Sequence, residues 1–420
     1  MTIPPKGEAT TGWRDPFVSK WEALSTLLGF DASIDYMMIA SGERRRGPQL
    51  HLYKSDNLLD WKLVSTILAV EAGANISPTS KLKWGMNFEC ASFFSFGERH
   101  YIIVGIEEGH DSKRHSARYP LWLSGNLVLK NGKPTFEIKN HGLLDHGISY
   151  AAHIFKDSEG RLLQLGWADE TARQHVLSNQ GWAGCLAHPR ELYEISKPIT
   201  SVDGGSDIWN LDESSGQMTT LGIRPAPQIS ALQRNLEASS LNSFKAIRST
   251  NYSIEAIFRH LSGCERFALN VRQSPNSAEV TKIFFDLGSG HITVDRSHSS
   301  LEILGASSPE SGTFQLLPDE DLHVQIFVDN SILEVYANDR FTLTSRIYPS
   351  LETSIGGSYD FGGFDERNVE FRYWEGLKDA WPSRKMDGNA LKGISSTMKI
   401  KEEKMGTDFP VSIAPPALPA

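Results

Sequence analysis

The feature that most constrains this chain is a two-residue alternation of apolar and polar side chains that recurs along it. Gln49-Leu-His-Leu-Tyr53, His100-Tyr-Ile-Ile-Val104, Arg161-Leu-Leu-Gln-Leu165 and Tyr252-Ser-Ile-Glu-Ala-Ile-Phe258 follow it. Side chains that alternate in this way put one face of a β-strand against a core and the other outside. Glycine-bearing turns at Ser41-Gly42, Phe96-Gly97, Asn131-Gly132 and Glu159-Gly160 separate the runs, the pattern of hairpins and meanders. The expectation is an all-β protein with one short early helix over residues 20–28.

A chain of 420 residues is too long for one typical core and points to two or three folding units. The alternation pauses between Val202 and Leu241, where Arg224-Pro-Ala-Pro227 interrupts regular structure. This places a first domain at 1–200, a linker at 201–240 and a second domain at 241–375. In the second, six or more dense runs, among them 267–271, 282–286, 291–295, 322–328, 332–336 and 341–345, suggest a β-sandwich. The tail, 376–420, is rich first in lysine and glutamate and then in proline, a composition expected to be disordered.

Composition excludes several functions. The net charge is −9, and the only compact basic cluster is Arg44-Arg45-Arg46, so a nucleic-acid partner is not expected. No apolar run approaches the roughly 20 residues of a membrane helix, so no membrane partner is expected. Met1-Thr-Ile-Pro-Pro-Lys-Gly-Glu8 lacks the basic start and apolar stretch of an export signal, and the compartment stays open. Cys90, Cys185 and Cys264 are an odd count at wide spacings, which suits neither a disulfide framework nor a zinc site. The nucleophile elbow, phosphate loop, dinucleotide fingerprint and zincin motif are all missing. His110 and His115 read as parts of a polar loop, and neither a metal nor another cofactor is expected.

Three acids stand in apolar or aromatic company: Asp15 in Trp13-Arg-Asp-Pro-Phe17, Glu89 in Trp84-Gly-Met-Asn-Phe-Glu-Cys90, and Asp145 in Leu144-Asp-His-Gly-Ile-Ser-Tyr150. They are 74 and 56 residues apart, about the length of a four-stranded propeller blade with its loops. Equivalent strands of successive blades would bring all three to one axis.

Trp13-Arg-Asp-Pro16, Phe88-Glu-Cys90 and Asp145-His-Gly-Ile-Ser-Tyr-Ala151, in this order, resemble motifs of glycoside hydrolase family 32, the invertase, inulinase and fructosyltransferase group. Trp182-Ala-Gly184, Pro189-Arg-Glu-Leu192 and Leu221-Gly-Ile-Arg-Pro225 are similar to segments that lead out of its propeller. Ile326-Phe-Val-Asp329, Glu334-Val-Tyr-Ala-Asn338 and Thr344-Ser-Arg-Ile-Tyr-Pro349 are similar to its carboxy-terminal module. The resemblance implies a five-bladed β-propeller followed by a β-sandwich, acting on sucrose or fructans. It further implies Glu89 as general acid/base and Asp15 as the residue that holds sugar hydroxyls and stabilises the transition state. Arg14, Asp145, Tyr150, Glu107 and His115 would contact the substrate. Retaining hydrolysis sets two carboxyl groups about 5 to 5.5 Å apart. Glu89, between Phe88 and Cys90, has the apolar sequence setting expected to favour a protonated acid.

The family's nucleophile, an Asp in a Trp-Met-Asn-Asp-Pro-Asn-Gly motif on the first blade, has no counterpart here. The third-blade motif begins at residue 13, so about three of the five blades are expected. The corresponding expectations are negligible hydrolysis by this chain alone and self-association through uncovered blade edges. The alternative reading is a catalytically dead carbohydrate-binding protein.

Overall fold

The computed structural model describes residues 9–80, 82–109, 117–200, 206–233, 241–245 and 247–378. The expected tail lies outside them, apart from residues 376–378. Three antiparallel sheets come first. Strands β1 (Thr10–Lys20), β2 (Asp35–Glu43), β3 (Gly47–Ser55) and β4 (Lys62–Ala69) form one, in chain order. Strands β5 (Asn87–Phe96), β6 (Arg99–Glu107), β7 (Tyr119–Lys130) and β8 (Lys133–Leu143) form the next, again in chain order. The third joins β9 (Ser149–Lys156), β10 (Leu162–Ala168), β11 (Cys185–Leu186), β12 (Arg190–Pro198), β13 (Asn210–Asp212) and β14 (Gln217–Pro225). The one early helix, α1 (Glu22–Leu28), sits where the sequence puts it and ends at Gly29 in the left-handed conformation.

The alternation explains how the sheets stack. Met38, Ala40, Leu50 and Leu52 of the first sheet join Phe88, Ile102, Val104, Leu121 and Leu123 of the second in one core, which reaches Ala152, Ile154 and Ile223 of the third. The alternate set, Met37, Ile39 and Tyr53, gathers with Trp13 and Trp61 on the opposite face of the first sheet.

Two five-stranded sheets follow. One has the order β22 (Phe341–Arg346), β21 (Ile332–Ala337), β20 (Leu322–Asp329), β15 (Asn251–Phe258), β24 (Val369–Glu375). The other runs β19 (Glu310–Thr313), β18 (His291–Asp295), β17 (Thr281–Asp286), β16 (Arg266–Gln273), β23 (Gly356–Asp360). Their inward residues, including Phe258, Phe267, Phe285, Ile326 and Leu343, form a second large core, as expected for two sheets packed face to face.

The segment expected as a linker is not one. Within 201–240, β14 pairs along its length with β12, and β13 pairs with β14. Ile229 then packs with Leu163 of the third sheet and with Phe327 and Tyr336 of the sandwich. The alternation fails there because Met218 to Ile223 are all buried. A strand covered on both faces reads as a continuous run rather than as alternation.

Candidate active site

The first strands of the three sheets share a defect. In each, the pairing with the neighbouring strand slips: between Arg14 and Phe17 in β1, between Glu89 and Ser92 in β5, and between Tyr150 and His153 in β9, opposite Trp167 and Leu165 of β10. At each slip one non-glycine residue is left-handed: Asp15 at φ 58°, Cys90 at 48° and Ala151 at 51°. A β-bulge of this kind bends its strand and redirects the preceding side chain. Arg14, Glu89 and Tyr150 are those side chains, and they meet.

Arg14 donates to Glu89 Oε1 through Nε at 3.0 Å and Nη2 at 2.6 Å, and the same Nη2 donates to Glu107 Oε2 at 2.7 Å. Tyr150 donates its hydroxyl to Glu89 Oε2 at 2.7 Å. Both oxygens of Glu89 are therefore held by donors from the two flanking sheets. The flanking Phe88 lies in the core rather than around the carboxylate, because successive strand residues point to opposite faces. Asp15 Oδ2 accepts from the Cys90 backbone N–H at 2.9 Å, which ties the first bulge to the second. Burial disfavours the Arg14 cation, but bonding to Glu89 and the charges of Glu89, Glu107 and Asp15 outweigh it and raise its pKa. Burial, then the Glu89 contact, raises the Tyr150 phenol, which stays a donor. Burial, then the charges of Asp15 and Glu89, pushes the Cys90 thiol up to about 12. Gly105 faces this cluster because a β-carbon there would press on the Tyr150 ring at 3.0 Å.

Arg14, Asp15, Glu89, Glu107 and Tyr150 are thus brought together, and Asp145 is not. It precedes β9 instead of lying on it and has 0% exposure. Its carboxylate accepts from Gly147 N–H, the Thr344 N–H and hydroxyl, and Arg190. No lone pair faces a substrate, so the expectation of a sugar contact is corrected. Spacing misleads because the structural equivalents are Arg14, Glu89 and Tyr150. His115 and His110 lie outside the described residues. Two supports were missed: Asn87 donates to Glu107 Oε2 at 3.2 Å, and Thr11 donates to Asn87 Oδ1 at 2.9 Å. Asn87 lies two residues before Glu89 on the same strand face, and that period was the available signal.

Residues 2–200 match the glycosyl hydrolases family 32 N-terminal domain, and residues 222–375 match the glycosyl hydrolases family 32 C-terminal domain. Sucrose-6-phosphate hydrolase of Zymomonas mobilis is 26% identical over 339 residues, covering 78% of this chain and 60% of the relative. Fructan 1-exohydrolase of Leymus chinensis is 23% identical over 419 residues, covering 86% and 64%. The chain spans about three fifths of the length of the curated relatives it matches. Among solved structures, Aspergillus kawachii β-fructofuranosidase superposes with a TM-score of 0.78 at 24% identity, over 91% of this chain and 74% of that one. That likeness fixes the fold as propeller plus sandwich. With both domain matches in order along one chain, the protein belongs to glycosyl hydrolase family 32.

Proposed function

We propose that the cluster around Glu89 is a β-fructofuranosyl site of the retaining type. Glu89 is its acid/base, Asp15 its hydroxyl-holding carboxylate, and Arg14, Glu107 and Tyr150 are substrate contacts. The observation that carries this is the convergence of Arg14, Glu89 and Tyr150 from three equivalent bulges. A sugar has many hydroxyls, and alternating carboxylate and guanidinium groups suit it as acceptors and donors.

A second reading, binding without turnover, also has support. Glu89 and Glu107 accept from one and the same Arg14 nitrogen, so these groups are engaged with one another and form a preorganised polar surface for sugar hydroxyls. Asp15 is engaged by the Cys90 amide. Among the described residues, the hydrogen-bond partners of Glu89 join it to one other carboxylate, Glu107, which they reach through Arg14, and the nucleophile motif of the family has no counterpart in the sequence. We therefore expect this chain alone to bind fructosyl sugars and to hydrolyse them negligibly, since loss of a nucleophile costs about 10⁴ to 10⁶ in rate. Reducing-sugar release from sucrose and fructose oligomers decides between the two. Release at background supports binding alone, and release at ordinary glycosidase rates that Glu89→Gln abolishes overturns the inactivity and leaves Glu89 in its role.

A further inference from the structure

The acid removed from the sugar site has a position of its own. Asp145 lies in a fully buried group with Arg190 and Glu334, each at 0% side-chain exposure. Arg190 Nη2 donates to Asp145 at 2.9 Å, to Glu334 at 3.0 Å and to the Thr344 hydroxyl at 2.7 Å. Asp145 and Arg190 belong to the third sheet's segment, whereas Glu334 and Thr344 are on β21 and β22 of the sandwich.

Around this group the backbone of 145–148 adds itself to the free edge of β22. His146 N–H donates to the Thr342 carbonyl at 2.8 Å, and Ile148 N–H to the Thr344 carbonyl at 2.9 Å. Thr344 N–H returns a bond to Asp145 Oδ1 at 3.1 Å. A β-carbon on Gly147 would overlap the Thr344 carbonyl, so the approach requires glycine there. His146 stacks on Phe341 with ring centroids 4.5 Å apart. An edge strand left open would template pairing with another chain, and here the chain closes its own edge.

Two residues beyond Ile148, Tyr150 pairs with Trp167 and donates to Glu89. We infer that Asp145, gripped by Arg190 and Thr344, is a positioning residue: it anchors the start of β9 on the sandwich and so holds the Tyr150 hydroxyl on Glu89. The sandwich thereby takes part in shaping the site, although none of the sandwich residues named here contacts Glu89. The role of Glu89 as acid/base rests on the reading above. The Tyr150–Glu89 contact does not, and the test reads the contact.

In protein labelled with ¹³C at tyrosine Cζ, the Tyr150 signal is assigned with Tyr150→Phe and its sensitivity to the contact calibrated with Glu89→Gln. Asp145→Asn, and the milder Thr344→Val, are expected to move that signal in the direction of Glu89→Gln while leaving Tyr252, inside the sandwich core, in place. A folded variant of either kind in which Tyr150 keeps its wild-type shift overturns the inference. A second measurement needs no variant. Hydrogen exchange of the unaltered chain should protect the Ile148 and Thr344 amides alike, as parts of one cooperative unit. Exchange at Ile148 more than about tenfold faster than at Thr344 means that β9 opens without the sandwich and overturns it as well.

Discussion

Glu89 has each carboxylate oxygen engaged by a donor from a different sheet, so its orientation is set before any ligand arrives. Such preorganisation is what a catalytic or binding carboxylate requires. On the far face of the first sheet, His51 shows the opposite use of a polar side chain. It is 1% exposed, rests against Trp13 with ring centroids 4.9 Å apart, and shares a hydrogen bond with Thr66 at 3.1 Å through Nδ1. Burial lowers its pKa from 6.5 to about 4. The unfolded chain therefore takes up the proton first as pH falls. The stability from neutral His51 is whole above about 6.5, declines below it and is lost once pH has passed the folded value near 4. The loss is on the order of 3 kcal/mol. Thermal midpoints measured from pH 8 to pH 4 should fall on this limb, and His51→Gln should flatten it. A variant with the wild-type acid limb contradicts the assignment.

At the scale of elements, the recurring unit is a strand with one left-handed residue just after its functional side chain. Asp15 and Cys90 touch each other at their bulges, but among these contacts Ala151 only occupies its own. An L-residue in the left-handed region costs about 1 kcal/mol or more, which glycine avoids. Ala151→Gly is thus expected to stabilise the chain by up to about 1 kcal/mol, offset in part by unfolded-state entropy, without moving Tyr150. A lowered melting midpoint contradicts a left-handed bulge there. The strands themselves were legible, since alternation marked Gln49–Tyr53, His100–Val104 and Tyr252–Phe258, all of which are strands. Glu89, Asp15 and Arg14 were legible as motifs. Spacing, however, could not tell Asp145 from Tyr150, five residues apart, because Asp145 precedes β9 whereas Asp15 and Glu89 lie within β1 and β5. Nor could alternation reveal β14, which is buried on both faces.

For the molecule as a whole, the contrast lies between two sheet surfaces. The edge of β22 is closed by the chain's own residues 145–148, but the first sheet's far face carries a cross-strand apolar row, Val18, Met37, Tyr53 and Leu63. Val18 is 44% and Leu63 51% exposed. Met37 and Tyr53 between them are buried, at 7% and 6%, so the row offers apolar surface at its two ends. Exposed apolar side chains favour pairing, and sedimentation velocity across a concentration series should reveal self-association that Leu63→Lys weakens. A single monomeric species throughout contradicts this. The central claim concerns the sugar site, and its most direct measurement is a calorimetric titration of sucrose and of fructose oligomers into the purified chain, alongside a Glu89→Ala, Arg14→Ala double variant. Saturable binding by the wild type that the double variant loses is the predicted result. No heat from either ligand at saturating concentration, or binding that survives in the folded double variant, contradicts it.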